Sequence, residues 1–166
     1  MNKEVLERIR KINLFSDFLK DEERLKQVCS KIKIEKFKMG QKIIKEGDLG
    51  DKLYILNKGT VRILKNTVSS EKYTVTLLTS DANIFFGEMA LIDSDKRSAT
   101  VVAESNCEVY SLDRKSYIKL CESDPLMGYK ITLHIAKRIA LSLRKMNTDV
   151  ITLFDALVNE VKGEFQ

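Results

Sequence analysis

The sequence holds one proline, one histidine and three cysteines, and nowhere do eighteen apolar residues run together. With 43% hydrophobic and 32% charged residues, a chain so poor in proline is neither fibrous nor disordered over long stretches. His134 lies in a helical pattern far along the chain from Cys29, Cys107 and Cys121, which form neither a CxxC pair nor an even set. This excludes a disulfide framework, and no metal cluster is expected. The opening MNKEVLERIRKI is charged and amphipathic, without the apolar core of a signal peptide. A reducing, cytoplasmic location is therefore expected, with no membrane partner.

Charge of one sign is also scarce. Lys and Arg number 29 against 24 Asp and Glu, a net charge of +5 that suits an anionic ligand but falls short of a nucleic-acid signature. The basic residues are scattered; Arg8-Ile9-Arg10-Lys11 and Lys31-Ile32-Lys33 read as solvated faces of amphipathic elements. At 166 residues one domain is expected, over 1–147, followed by a short helical extension over 148–166.

Apolar residues Val5, Ile9 and Ile12 recur at helical spacing, and Asp21 opens a second helical stretch through Leu25, Val28 and Ile32. Beyond them come short strands punctuated by Gly40, Gly47, Gly50 and Gly59, a pattern that predicts an antiparallel β-roll with positive φ or tight turning at the glycines. A polar hairpin is expected around Asn66 to Lys72, and the strands resume until Asp113, which reads as a helix cap. Asp124-Pro125 starts a further helix, with the capping residue placed before a proline at the first helical position. From there Ile135, Ile139, Leu143, Met146, Val150, Leu153 and Leu157 form a seam at steps of four and three, which predicts pairing with a second copy. Asn147-Thr148-Asp149 is expected to interrupt this helix, leaving one more short helix toward Val161.

The segment FFGEMALIDSDKRSAT, from Phe85 to Thr100, carries the chemistry. Gly87 stands at the mouth of a short helical turn, Glu88 to Leu91, whose N–H groups suit an anion. Arg97 adds a planar fork for two phosphate oxygens, and small Ser98 and Ala99 allow close approach. A carboxylate beside a phosphate site needs its own partner, and a ribose hydroxyl would serve Glu88. A nucleoside 3′,5′-cyclic monophosphate has both groups.

Here the sequence resembles the cyclic nucleotide-binding domains of bacterial catabolite activators, cyclic-nucleotide-dependent kinases and gated channels. Phe86-Gly87-Glu88-Met89-Ala90-Leu91-Ile92 followed by Arg97-Ser98-Ala99-Thr100 is similar to the family's phosphate-binding cassette, and the glycines from 40 to 59 are similar to its glycine ladder. The resemblance covers about Leu14 to Asn147. It implies an α+β fold: an eight-stranded antiparallel β-roll of jelly-roll type, with N-terminal helices, a short cassette helix and a long C-terminal helix. It implies ligand contacts from Phe86, Gly87, Glu88, Met89, Ala90, Arg97, Ser98 and Ala99, with Glu88 on the ribose 2′-hydroxyl and Arg97 on the cyclic phosphate. Lys96 departs from the proline common before the arginine, which loosens the loop without removing a contact.

The base stays open at Ser98, since a hydroxyl there accompanies guanine preference in kinase-type members whereas bacterial cAMP receptors are similar to the Arg-Ser-Ala pattern. Ser142 stands where those activators bring a hydroxyl to adenine, which favours cAMP over cGMP. The expected function is a non-catalytic sensor that passes binding to its C-terminal helix and to an effector protein. Only about twenty residues follow Thr148, too few for a DNA-binding module. A jelly-roll enzyme would need several histidines on its strands, and the chain has one histidine in all, placed in a helix. The alternative is a scaffold whose pocket is vestigial.

Overall fold

A computed structural model of the chain describes residues 3–66, 72–93 and 95–163. It divides into two compact units, residues 1–132 and 133–166. The expected hairpin tip at 67–71 lies outside the described residues.

The first unit opens with α1 (Lys3–Arg10) and α2 (Glu22–Lys31), joined by a 3-10 turn at Asn13–Phe18 that the periodicity did not reveal. Asp21 caps α2 by accepting from the Arg24 amide at 3.0 Å. Eight antiparallel strands follow: β1 (Lys33–Phe37), β2 (Lys42–Ile44), β3 (Lys52–Lys58), β4 (Thr60–Asn66), β5 (Lys72–Thr79), β6 (Phe85–Phe86), β7 (Thr100–Ala103) and β8 (Cys107–Asp113). They form two four-stranded sheets, ordered β1-β8-β3-β6 and β2-β7-β4-β5, which together make the expected roll. Between β3 and β4 the chain reverses at Gly59, whose φ is +97° and where a Cβ would sit 2.7 Å from the Asn106 carbonyl oxygen.

One face of each sheet turns inward, and Ile44, Tyr54, Leu56, Val61, Phe86, Val101 and Val109 pack there as a single cluster. Alternation sends Leu53, Ile55, Tyr110 and Leu112 to the other face of the first sheet, and these are also fully buried. Ile9, Leu14, Phe15 and Leu25, equally buried, supply the helical cover. Arg8 ties α1 to that sheet: its guanidinium donates to the carbonyls of Leu56 and Ser80 and to Asn83 Oδ1. Arg8 was expected on a solvated face, and the structure overturns this because three acceptors converge on a position that sequence spacing leaves blank. Arg10, two residues on and so on the other side of α1, faces Glu7 and Glu22 as expected of a surface charge.

The short α3 (Met89–Ile92) precedes β7, and α4 (Arg114–Ser123) follows β8 with Asp113 as its cap. Helix α5 (Pro125–Gly163) starts as predicted, with Asp124 Oδ1 accepting from the Met127 amide at 3.0 Å. It then runs unbroken for 39 residues. The predicted interruption at Asn147-Thr148-Asp149 is absent; Thr148 and Thr152 are accommodated within the helix, their hydroxyls donating to the carbonyls of Arg144 and Thr148. The second unit is the part of this helix beyond Thr132. Among the described residues no helix is long and apolar enough to cross a membrane.

Candidate functional site

The cassette is assembled on the roll by two pairings. β6 pairs with β3, setting Phe86 opposite Tyr54 with the rings stacked 5.6 Å apart. The chain then turns at Gly87, where φ is +74°, and enters α3 through Glu88. On the far arm, Lys96 bridges Leu49, the Arg97 amide donates to the Asp48 carbonyl at 2.8 Å, and the Gly47 amide donates to the Arg97 carbonyl at 3.0 Å. The loop between β2 and β3 therefore clasps the arm that carries Arg97.

Arg97 points back into the roll. Its Nη1 donates to the Gly87 carbonyl at 3.0 Å, its Nη2 to the Lys52 carbonyl at 2.8 Å, and its Cζ lies 6.0 Å from the centre of the Tyr54 ring. Burial lowers the pKa of this guanidinium from its ordinary value, against the opposing pull of Tyr54, Asp51 and Glu88. A guanidinium stays charged in proteins, so a fixed cation stands at the cassette wall. Room for it comes from glycine: a Cβ on Gly50 would lie 2.0 Å from Arg97 Nε, and one on Gly87 would lie 2.7 Å from Nη1.

Gly87, Met89, Ala90, Arg97 and Ser98, together with Asp93, Asp95 and Lys96, line one cavity of about 40 Å³. Ala90 is buried at its floor, Met89 and Ser98 are exposed, and Glu88 and Ala99 are half-buried close by in the chain. The side chain of Phe86 is buried in the core, stacked on Tyr54. Ser142 lies exposed on α5 in the second unit. A larger cavity, about 600 Å³, is lined by Lys36, Phe37, Lys38, Gln41, Lys58 and residues 106–108, none of them in the cassette. Among the described residues no group of three His, Cys, Asp or Glu is gathered as a metal site.

Sequence reasoning missed Gly50, Asp51, Tyr54 and the Lys52 carbonyl as neighbours of Arg97. Gly50 was visible as one of four glycines expected where positive φ or tight turning penalises a side chain, and it is not among the glycines with positive φ. Its neighbour across space is 47 positions away in the chain, beyond the reach of local pattern.

A roll that holds a charged arginine at the mouth of a glycine turn, clasped from a second loop, belongs to the class of ligand-binding β-roll modules. The model of the cyclic nucleotide-binding domain matches residues 34–124, more than half of the chain, and the chain belongs to that family. It is 33% identical over 103 residues to the cyclic AMP receptor protein of Thermus thermophilus, covering 62% of this chain and 47% of the relative. It is 37% identical over 100 residues to the cAMP-dependent protein kinase regulatory subunit of Yarrowia lipolytica, covering 60% of this chain and 25% of that protein. The chain thus spans less than half the length of either relative. Among solved structures, a cyclic nucleotide-binding domain from Methylobacillus flagellatus superposes with a TM-score of 0.73 at 27% identity, covering 86% of this chain and 78% of the other. The catabolite activator protein of Thermus thermophilus superposes with a TM-score of 0.70 at 28% identity, covering 81% and 61%.

Proposed function

We propose that the chain is a non-catalytic cytoplasmic sensor of a 3′,5′-cyclic mononucleotide, cAMP in preference to cGMP. The observation that carries this reading is the anchoring of Arg97 on the Gly87 and Lys52 carbonyls. Those bonds engage two of the five N–H donors of a guanidinium and fix its plane, leaving donors for a cyclic phosphate. Glu88 accepts from the ribose 2′-hydroxyl, the backbone at Phe86, Gly87, Ser98 and Ala99 together with Met89 and Ala90 completes the cradle, and Ser142 offers a hydroxyl to the base.

A cavity of about 40 Å³ holds roughly one water, so the cassette widens when a nucleotide enters. A ligand that binds the widened arrangement more tightly shifts the population toward it. The route outward is short: Arg114 Nη2, in the first turn of α4, lies 3.4 Å from the Ile92 carbonyl at the end of α3, and α4 leads into α5. The apolar seam of α5 pairs with a second copy, and an effector protein receives the change, with no sequence-specific DNA binding by this chain.

Titration calorimetry with cAMP and cGMP tests the reading. Micromolar affinity corresponds to about 8 kcal/mol and one charge-assisted bond to about 1.5–3 kcal/mol, so Arg97→Lys, which loses the fork, should weaken binding at least about tenfold. No heat with either nucleotide would leave the scaffold reading instead. Sedimentation of the full chain at micromolar concentration should give the dimer mass, reduced to monomer by Met146→Glu.

A further inference from the structure

We infer that Gly50 is a positioning residue for the arginine of the cassette, acting by the absence of a side chain. A Cβ built there would lie 2.0 Å from Arg97 Nε, 2.4 Å from Cζ and 2.6 Å from Cδ. These atoms belong to the outer half of the side chain, which is pinned by its bonds to the Gly87 and Lys52 carbonyls, so making room for a methyl group means moving the guanidinium off those anchors. Gly50 stands one residue after Leu49, which bridges Lys96, and two before Lys52, whose carbonyl accepts from Nη2. The same loop therefore holds the backbone of the arginine arm, supplies an anchor for its guanidinium and leaves the space the guanidinium fills. Opposite, a Cβ on Gly87 would lie 2.7 Å from Nη1, so the cation is seated in a slot with a glycine on either side.

The two glycines differ in what they provide. Gly87 has a φ of +74°, so a substitution there strains the turn as well as filling the slot. Gly50 has no such backbone demand, and the three nearest atoms a methyl group at 50 would meet all belong to Arg97. The orientation of Arg97, and with it the position of an anion it holds, is set by a residue that itself offers no contact to a ligand. The inference rests on the reading of Arg97 as the phosphate contact for its functional consequence, and on geometry alone for its structural one.

Both parts are tested with four full-length proteins: the wild type, Gly50→Ala, Arg97→Ala and the double variant. In thermal melts Gly50→Ala should lower Tm in the wild-type background and leave it unchanged in the Arg97→Ala background, where the guanidinium is gone. A Gly50→Ala protein that fails to fold, with a double variant that folds, gives the same answer. Equal losses of Tm in both backgrounds would overturn the inference. In cAMP titrations Gly50→Ala should weaken binding about tenfold or more, and the double variant should bind no worse than Arg97→Ala. Full affinity in Gly50→Ala alongside a loss in Arg97→Ala defeats the positioning role and leaves the sensor reading intact. Affinity unaffected by Arg97→Ala defeats the assignment of Arg97 as the phosphate contact, while the Tm cycle still decides whether Gly50 seats the side chain.

Discussion

Arg97 and Arg8 are both arginines that leave the surface, and each does so for the carbonyl groups it meets. Arg97, read as a ligand contact, is also half-buried and bonded to two backbone oxygens, at Gly87 after β6 and at Lys52 in β3. Removing it therefore leaves acceptors without their partner, and Arg97→Ala should lower stability by about 1–3 kcal/mol in denaturant titrations, in addition to weakening nucleotide binding. Arg8 is the control for that statement. Its three acceptors lie on β3 and on the 3-10 turn after β5, far from the cassette arm. Arg8→Met keeps most of the aliphatic stem and removes the donors, and should cost about 1.5–3 kcal/mol with cyclic nucleotide affinity unchanged. Arg97 was legible as a candidate site residue because Gly-Glu and Arg-Ser-Ala resemble the family's cassette. Its seat was not, since Gly50, Lys52 and Tyr54 reach it only once β3 and β6 have paired.

Helix boundaries in this chain are local chemistry and were correspondingly readable. Asp21, Asp113 and Asp124 each accept the amide three residues on, at positions where a carboxylate precedes a helical pattern. Asp124 does more than cap: Arg24 Nε of α2 donates to its Oδ2 at 2.6 Å, which ties the start of α5 to α2. That bond first, and the Met127 amide second, hold the Asp124 carboxyl below its ordinary value. A carboxyl with a depressed folded pKa contributes stability that is present above its unfolded pKa of about 4 and is lost as pH falls through the folded value. Asp124→Asn should accordingly flatten the loss of stability below pH about 4, read from urea midpoints across an acid series. The continuity of α5 was the element that spacing misjudged. Asn-Thr-Asp disfavours helix in isolation, and a 39-residue helix carries it through because propagation adds a bond for each residue fixed, whereas a new start would need a new nucleus.

At the scale of the whole molecule, two buried tyrosines report on the integrity of the first unit. Burial pushes the Tyr110 hydroxyl up to about 12, on the face of the sheet covered by helices. Burial also pushes Tyr117 up to about 12, although its hydroxyl bonds to Thr132 Oγ1. A raised folded pKa means stability that is complete below the ordinary value near 10 and is lost as pH rises toward 12. Unfolding midpoints should therefore fall steeply between pH 10 and 12, and Tyr117→Phe should remove part of that slope; a flat profile would contradict the burial of both phenols. What the sequence determined by itself was whatever depends on neighbours within a few positions. This covers the helix caps, the strand period, the turns at glycine and the cassette-like segment, whose resemblance pointed to the cyclic nucleotide-binding family. Tertiary structure alone decided which distant backbone atoms converge. It drew Arg8 inward, buried Phe86 on Tyr54, and made Gly50 the space into which Arg97 fits. The physical reason is that hydrogen-bond geometry and excluded volume act across space, between residues that strand pairing has brought together from far apart in the chain.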